Sequence, residues 1–244
     1  MSKLRVGVLA SGNGSNLQAI IDASRQGLID VEVAVVVSDV PDARALKRAR
    51  EADVPALHID PGPRRTRLTS GAEAEYARVL EEHEVDVVAL AGFMRILHDD
   101  FLCRFDGRIV NIHPSLLPSF PGLDAQRQAL EHGVKWTGAT VHFVDAGVDT
   151  GPIIVQSAVP VEQGDTRDSL AERILREEHR IYPLALQLIA EGRVSLEGRR
   201  TCVDRTAAAA TSRGRPEAGD AANPDTGASD HAGLTGRDEP GEVT

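Results

Sequence analysis

The sequence predicts an α/β domain built on a mainly parallel, twisted sheet that turns antiparallel toward the C-terminus. Three observations carry this prediction. Short apolar runs alternate with stretches of helical period, the pattern of repeated βαβ units. The first run ends in a glycine-rich turn that opens a helix, as strand-to-helix loops of open parallel sheets do. The last two apolar runs, by contrast, have only a turn-rich loop between them.

Taken in order, residues 4–9 (LRVGVL) read as a strand running into Ala10-Ser11-Gly12-Asn13-Gly14-Ser15. A helix follows, with Leu17, Ile20 and Ile21 on one face, and stops near Gly27. Residues 31–37 (VEVAVVV) form a buried strand. Residues 42–53 form a helix facing Leu46 and Ala49 inward, and 55–59 a short strand. The Pro-, Gly- and Arg-rich stretch 60–71 predicts a mobile loop. A helix over Glu73–His83 and strands over Asp86–Ala91 and Arg108–Ile112 come next. Strands over Ala139–Val144 and Ile153–Pro160 are expected to join antiparallel through the Asp145–Pro152 loop. Residues 166–190 carry a strong helical pattern in Leu170, Ile174, Leu175, Ile181 and Leu184, which Pro183 is expected to break or kink.

From about Thr206 the composition changes: Ile, Phe, Tyr, Trp and Met are absent, and Ala, Gly, Pro, Asp and Thr crowd the sequence. Such a segment buries too little apolar surface to offset its ordering entropy. The expected organisation is a domain over residues 1–200 and a disordered, acidic-leaning tail over 201–244.

Composition bounds the function. Hydrophobic residues make up 41% and aromatics only 3%, so the core must be mostly Val, Leu, Ile and Ala. A net charge of −10 argues against a protein built to grip nucleic acid or an anionic membrane. Cys103 and Cys202 are isolated, which excludes a disulfide framework and a thiolate zinc site. With no long apolar stretch, the expectation is a cytoplasmic protein, monomer or homodimer, that handles small molecules.

Two constellations carry chemistry. Gly12-Asn13-Gly14-Ser15-Asn16 places free backbone N–H groups at a helix N-terminus, where the helix dipole favours a phosphate. Ser15 and Asn16 can add side-chain donors; alternatively Ser15 is only an N-cap and the glycines only serve the turn. No Lys-Ser/Thr follows, and the position three after Gly14 is Leu17, which disfavours both a Walker loop and a dinucleotide fingerprint. In the second constellation, Asn111 and His113 lie two apart on an extended segment and so point to one face. Pro114 keeps His113 extended. An amide and an imidazole converging at a strand end can hold a carbonyl oxygen and stabilise the oxyanion formed when an amine attacks it. A carboxylate from Asp145-Ala-Gly-Val-Asp149-Thr-Gly-Pro152, if close, would raise the His113 pKa.

Gly12-Asn13-Gly14-Ser15-Asn16, Ala91-Gly92-Phe93-Met94-Arg95-Ile96-Leu97, NIHPSLLP, VHFVDAGVDTGP and Glu178-His179, in that order, resemble the motifs of the phosphoribosylglycinamide formyltransferases. The resemblance spans residues 3 to about 200 and implies a single Rossmann-like formyltransferase domain with helices on both sheet faces. It implies that Asn111, His113 and Asp149 are the catalytic trio, and that Gly14, Ser15, Asn16 and Glu178 bind glycinamide ribonucleotide. It also implies that 10-formyltetrahydrofolate, the co-substrate, is held by Met94, Arg95, Ile96, Leu97, Asn111 and the loop Asp145, Ala146, Gly147, Val148 and Asp149. His142 matches a histidine neighbouring the site. An arginine holding the folate is expected among Arg64, Arg65 and Arg67, with Arg67 the choice. The implied reaction is direct acyl transfer without an enzyme nucleophile or a metal. Its rivals are methionyl-tRNA formyltransferase, which needs a second, basic domain, and formyltetrahydrofolate deformylase, which usually carries an N-terminal domain for which the first strand at residue 4 leaves no room. The rival of another class is a non-catalytic nucleotide- or folate-binding module, which would have no need of the trio.

Overall fold

A computed structural model describes residues 2–64 and 66–204. Arg65, one of the three candidate folate arginines, and the part of the expected tail from residue 205 onward lie outside the described residues.

The chain runs β1 (Leu4–Leu9), α1 (Ser15–Arg25), β2 (Val31–Ser38), α2 (Arg44–Glu51), β3 (Ala56–His58), α3 (Ser70–Glu82), β4 (Val87–Leu90) and α4 (Asp99–Arg104). It continues through β5 (Ile109–His113), α5 (Ala125–Glu131), β6 (Trp136–Phe143), β7 (Ile153–Pro160) and α6 (Arg167–Ala190) to the hairpin β8 (Val194–Glu197) and β9 (Arg200–Val203). β9 thus crosses the boundary expected at residue 200.

Seven strands form one sheet in the order β3-β2-β1-β4-β5-β6-β7. The pairs among β1 to β5 are parallel, whereas β5–β6 and β6–β7 are antiparallel. Both faces of the sheet are covered, so its parallel strands read as near-continuous apolar runs rather than alternating ones. In β4, Val87 and Ala89 join the core beneath α1, α2 and α6, while Val88 and Leu90 join the core beneath α3 and α4. Valine, leucine, isoleucine and alanine fill most of this interior, and Tyr76, Tyr182 and Phe105 are the large aromatics within it.

Pro183 does not break α6, which is continuous from Arg167 to Ala190. A proline inside a helix costs about 3 kcal/mol through its missing N–H and its clash with the preceding turn. Leu170 and Ile174 before it, and Ile181, Tyr182, Ala185 and Leu186 around and after it, are fully buried. At about 1.5–3 kcal/mol for each large apolar side chain, that burial exceeds the proline penalty.

The strand order reverses between β1 and β4, with β2 and β3 added to one side of β1 and β4 and β5 to the other. Ligands of open α/β sheets bind at such a switch point, beyond the carboxyl ends of the strands. Register places Leu9, Leu90, Asn111 and His142 in one row across β1, β4, β5 and β6. The loops after β1 and β4 meet directly above this row, where the Ser11 N–H donates to Gly92 O at 3.1 Å.

Candidate active site

At the carboxyl end of β1, Gly14 takes φ = +70°, and a Cβ there would lie 2.7 Å from Ala45 Cα. Both its conformation and its closeness to α2 therefore require glycine. Gly14 is the N-cap of α1 and Ser15 the first helical residue, with no side-chain capping bond, so Ser15 is not the cap. The first amides of α1 consequently keep their donors at the switch point. Arg48 braces the loop from outside through Asn13 O at 2.9 Å.

Asn16 turns inward rather than toward the loop. Its Nδ2 donates to Glu178 Oε2 of α6 at 2.7 Å, and both residues are buried. Burial pushes the Glu178 carboxyl above its ordinary pKa, with the Asn16 amide opposing. Glu178 therefore does not belong to a solvated charged face. Asn16 Oδ1 is buried without a hydrogen-bond partner. A cleft of about 740 Å³ runs between α1 and α6, lined by Ser15, Gln18, Arg48, His179 and Pro183 among others. It begins beside the loop after β1 and does not include Asn111, His113 or Asp149.

The trio itself converges. Asn111 and His113 project from β5, and Asp149 comes from the β6–β7 loop. His113 Nδ1 lies 3.3 Å from Asp149 Oδ2, and Asn111 Nδ2 lies 3.4 Å from Asp149 Oδ1. His142 completes the cluster: Asn111 Nδ2 approaches its Nε2 at 3.2 Å, while its Nδ1 donates to Phe143 O at 2.8 Å. That second bond fixes the proton on Nδ1 and leaves Nε2 as the acceptor for Asn111.

Two backbone groups from the turn after NIHPSLLP, which motif reading missed, shape the electrostatics. Phe120 O accepts from His113 Nε2 at 2.9 Å, and Gly122 N–H donates to Asp149 Oδ2 at 2.7 Å. Nothing in the residue types of PSFPG announces these roles, because main-chain groups perform them.

The expected rise in the His113 pKa is not what the site produces. Burial pushes the ring down, and this outweighs the upward pull of Asp149 and Phe120 O. Burial also pushes Asp149 up, but His142, the Gly122 amide and His113 together outweigh it, leaving the carboxyl below its ordinary range. At neutral pH the cluster therefore holds a carboxylate against a neutral imidazole. Nε2 carries the ring proton and donates it to Phe120 O, and Nδ1 faces the carboxylate, ready for a second proton. Asp149 has φ = +54°, an uncommon conformation for a residue with a side chain that costs about 1–3 kcal/mol unless its surroundings impose it.

The segment after β4 shows an exposed apolar surface. Met94 is 59% and Ile96 43% exposed, whereas Leu97 is buried in the core beneath α3. The Arg95 guanidinium points away from open solvent: its Nε donates to Asp39 Oδ2 at 2.6 Å and its Nη1 to Arg64 O at 2.6 Å. Met94 N–H donates to Ser11 Oγ at 2.9 Å, and Ile96 N–H to Thr66 O at 2.9 Å. Arg67 bridges Ile96 through the backbone, which places it against this segment, while Arg64 contributes its carbonyl. Asp39, a carboxylate at the end of β2, belongs to no motif and was missed. Across the site, Asp145 Oδ1 accepts from Gly147 N–H and Thr150 Oγ1, folding Ala146, Gly147 and Val148 into a tight loop with Val148 exposed.

A formyl transferase family profile matches residues 4–186, which takes in the whole seven-stranded sheet and most of α6. The chain belongs to the formyl transferase family. Among solved formyl transferases, glycinamide ribonucleotide transformylase 1 from Symbiobacterium toebii is 58% identical, with a TM-score of 0.79 over 83% of this chain and 94% of that one. Phosphoribosylglycinamide formyltransferase from Escherichia coli (strain K12) is 46% identical over 199 residues, 79% of this chain and 90% of that protein. The trifunctional purine biosynthetic protein adenosine-3 of Homo sapiens is 48% identical over 194 residues, but this chain spans only 19% of its length. The formyl transferase motifs read from the sequence thus stand on one fold, with Asn111, His113 and Asp149 within hydrogen-bonding or near-contact range of one another.

Proposed function

We propose that this formyl transferase moves the formyl group of 10-formyltetrahydrofolate onto the amine of glycinamide ribonucleotide, giving formylglycinamide ribonucleotide and tetrahydrofolate in purine biosynthesis. The observation that carries the reading is the convergence of Asn111, His113 and Asp149 beside a helix N-terminus whose amides are open. In this reading the amides at Gly14, Ser15 and Asn16 take the ribonucleotide phosphate, and Glu178 orients the glycinamide end. Met94, Ile96, Leu97 and the 145–149 loop clasp the pterin, with Arg95 and Arg67 supporting the wall. The partners are small molecules, and neither a nucleic acid nor a membrane is involved.

The amine nitrogen attacks the formyl carbon, forming a C–N bond and placing negative charge on the formyl oxygen. Asn111 Nδ2 and the His113 ring stabilise that oxyanion. The developing charge offsets the burial that keeps His113 neutral at rest, so the surplus proton of the attacking amine, taken first by Asp149, is shared with Nδ1 while the oxyanion persists and returns to Asp149 as the charge collapses. The attacking amine's surplus proton passes through Asp149 and an ordered water to the folate nitrogen, whose bond to the formyl carbon breaks. Tetrahydrofolate release with and without glycinamide ribonucleotide tests the reading. Release only with the ribonucleotide supports transfer; release without it means hydrolysis, and no release means a binding module. His113→Ala is expected to lower turnover by about 10²-fold or more while both substrates still bind. Near-wild-type turnover in that variant removes His113 from the mechanism.

A further inference from the structure

The hairpin β8–β9 lies beyond residue 186, where the family profile ends, and the reaction proposed above uses none of it. Its turn nevertheless reaches the loop that carries Asp149. Arg199 Nη2 donates to Thr150 O at 3.1 Å, the carbonyl immediately after Asp149. Thr201 Oγ1 donates to Ile153 O at the start of β7. Arg199, Arg200 and Thr201 also line a cleft of about 490 Å³ whose opposite wall includes Asp149, Leu117 and Pro121.

The loop needs an external hold. Asp149 sits at φ = +54° without being glycine, and the bonds from Asp145 to Gly147 and Thr150 lie within the loop and move with it. Gly151 passes so close to Phe143 O that a Cβ there would lie 1.8 Å from it, which fixes the loop's exit but not the peptide after Asp149. Gly122 N–H secures the Asp149 side chain, and Arg199 secures the Thr150 carbonyl.

We propose that Arg199 is a positioning residue for the reaction: by holding Thr150 O, it sets the backbone that presents Asp149 to His113. The inference rests on the reading of Asp149 as the proton-relaying carboxylate. Arg199 touches neither substrate nor the reacting atoms in this arrangement and acts through the loop.

The test compares full-length wild type, Arg199→Ala and Arg199→Lys. In Arg199→Ala, kcat at saturating substrates falls about 10-fold to 100-fold, as a small displacement of a reacting group does, with both KM values little changed. The imidazole C2-proton titration of His113, followed by NMR without substrates, moves to lower pH because Asp149 no longer supports the protonated ring. Arg199→Lys keeps a donor within reach of Thr150 O and restores most of kcat and the His113 titration. A wild-type kcat with an unmoved His113 titration in Arg199→Ala overturns the proposal. So does a kcat loss with an unmoved titration that lysine fails to rescue, since the hairpin then serves folding alone. The titration is read without any acyl acceptor, so it separates failure of this proposal from failure of the functional assignment.

Discussion

Burial holds the Glu178 carboxyl above its ordinary pKa, and the amide of Asn16 offsets this only in part. A carboxyl raised in the folded state contributes its full share of stability below its unfolded pKa of about 4.3 and loses it as pH rises through the folded value. As pH rises the fold therefore takes on the penalty of a buried carboxylate. Glu178→Gln keeps an oxygen to accept from Asn16 Nδ2 and removes the charge. We expect it to raise the melting temperature at pH 7 by about 2–4 °C, corresponding to roughly 1 kcal/mol. The gain should vanish near pH 4, where the wild-type residue is protonated in both states, and the KM for glycinamide ribonucleotide should rise. Melting curves at the two pH values, with steady-state kinetics, check this; a variant no more stable than wild type at pH 7 contradicts it. The same scale shows what sequence could reveal about the site. The shared face of Asn111 and His113 was legible because two side chains two apart on a strand point the same way, whereas Asp149 was singled out only through the family resemblance. Phe120 O and Gly122 N–H were not legible, since any residue supplies those groups and only the turn aims them. The direction of the His113 shift was also beyond reach, because it depends on how deeply the ring is buried.

At the scale of elements, strands were read well where apolar runs were bounded by turns: β1 and β7 begin and end where the sequence places them. Short or weakly patterned pieces escaped, including α4, α5 and the β8–β9 hairpin, whose exposed alternation resembles loop composition. Helix α6 shows burial overruling a local breaker. Beside its proline, the Tyr182 hydroxyl donates to both Leu90 O and Val110 O, at 3.0 and 3.2 Å, tying the helix to β4 and β5. Tyr182→Phe leaves those carbonyls one donor short and should lower stability by about 1–2 kcal/mol in denaturant melts, with the fold intact. The segment after β4 depends on a different tie. The Asp39 and Arg95 side chains are 2% and 15% exposed, so their charge pair is largely shielded from solvent. Asp39→Ala removes the carboxylate that pairs with the guanidinium. The expected results are a loss of roughly 2–3 kcal/mol and a raised KM for 10-formyltetrahydrofolate, while the KM for glycinamide ribonucleotide changes little. Equal rises in both KM values would mean that Asp39 supports the whole site rather than this wall.

Over the molecule, the mainly parallel sheet and its covering helices follow from the alternation of apolar runs with helical stretches and were legible in the sequence. The order of strands was not, because sequence spacing alone does not say on which side of β1 the fourth strand pairs. That choice brings the loops after β1, β4 and β5 to one end of the sheet, so an acceptor bound there bridges several elements at once. Glycinamide ribonucleotide at about 100 times its Kd should therefore raise the melting temperature by about 5–10 °C, from the ~2.7 kcal/mol that mass action supplies. Ribose 5-phosphate, which lacks the amine end, should give a smaller shift at equal concentration. Equal shifts would place recognition in the phosphate alone.

The hydrogen bond from Asn16 to Glu178 joins residues 162 positions apart in the chain. During synthesis the loop after β1 emerges early, with the partner of Asn16 still to be made. Its partner arrives only after nearly the whole sheet has been made and α6 has formed. The loop after β1 and helix α6 are thus joined only once residue 178 has been made, and a chain stopped before it lacks the carboxyl group that Asn16 meets. The bond ties one of the first loops to be synthesised to one of the last helices.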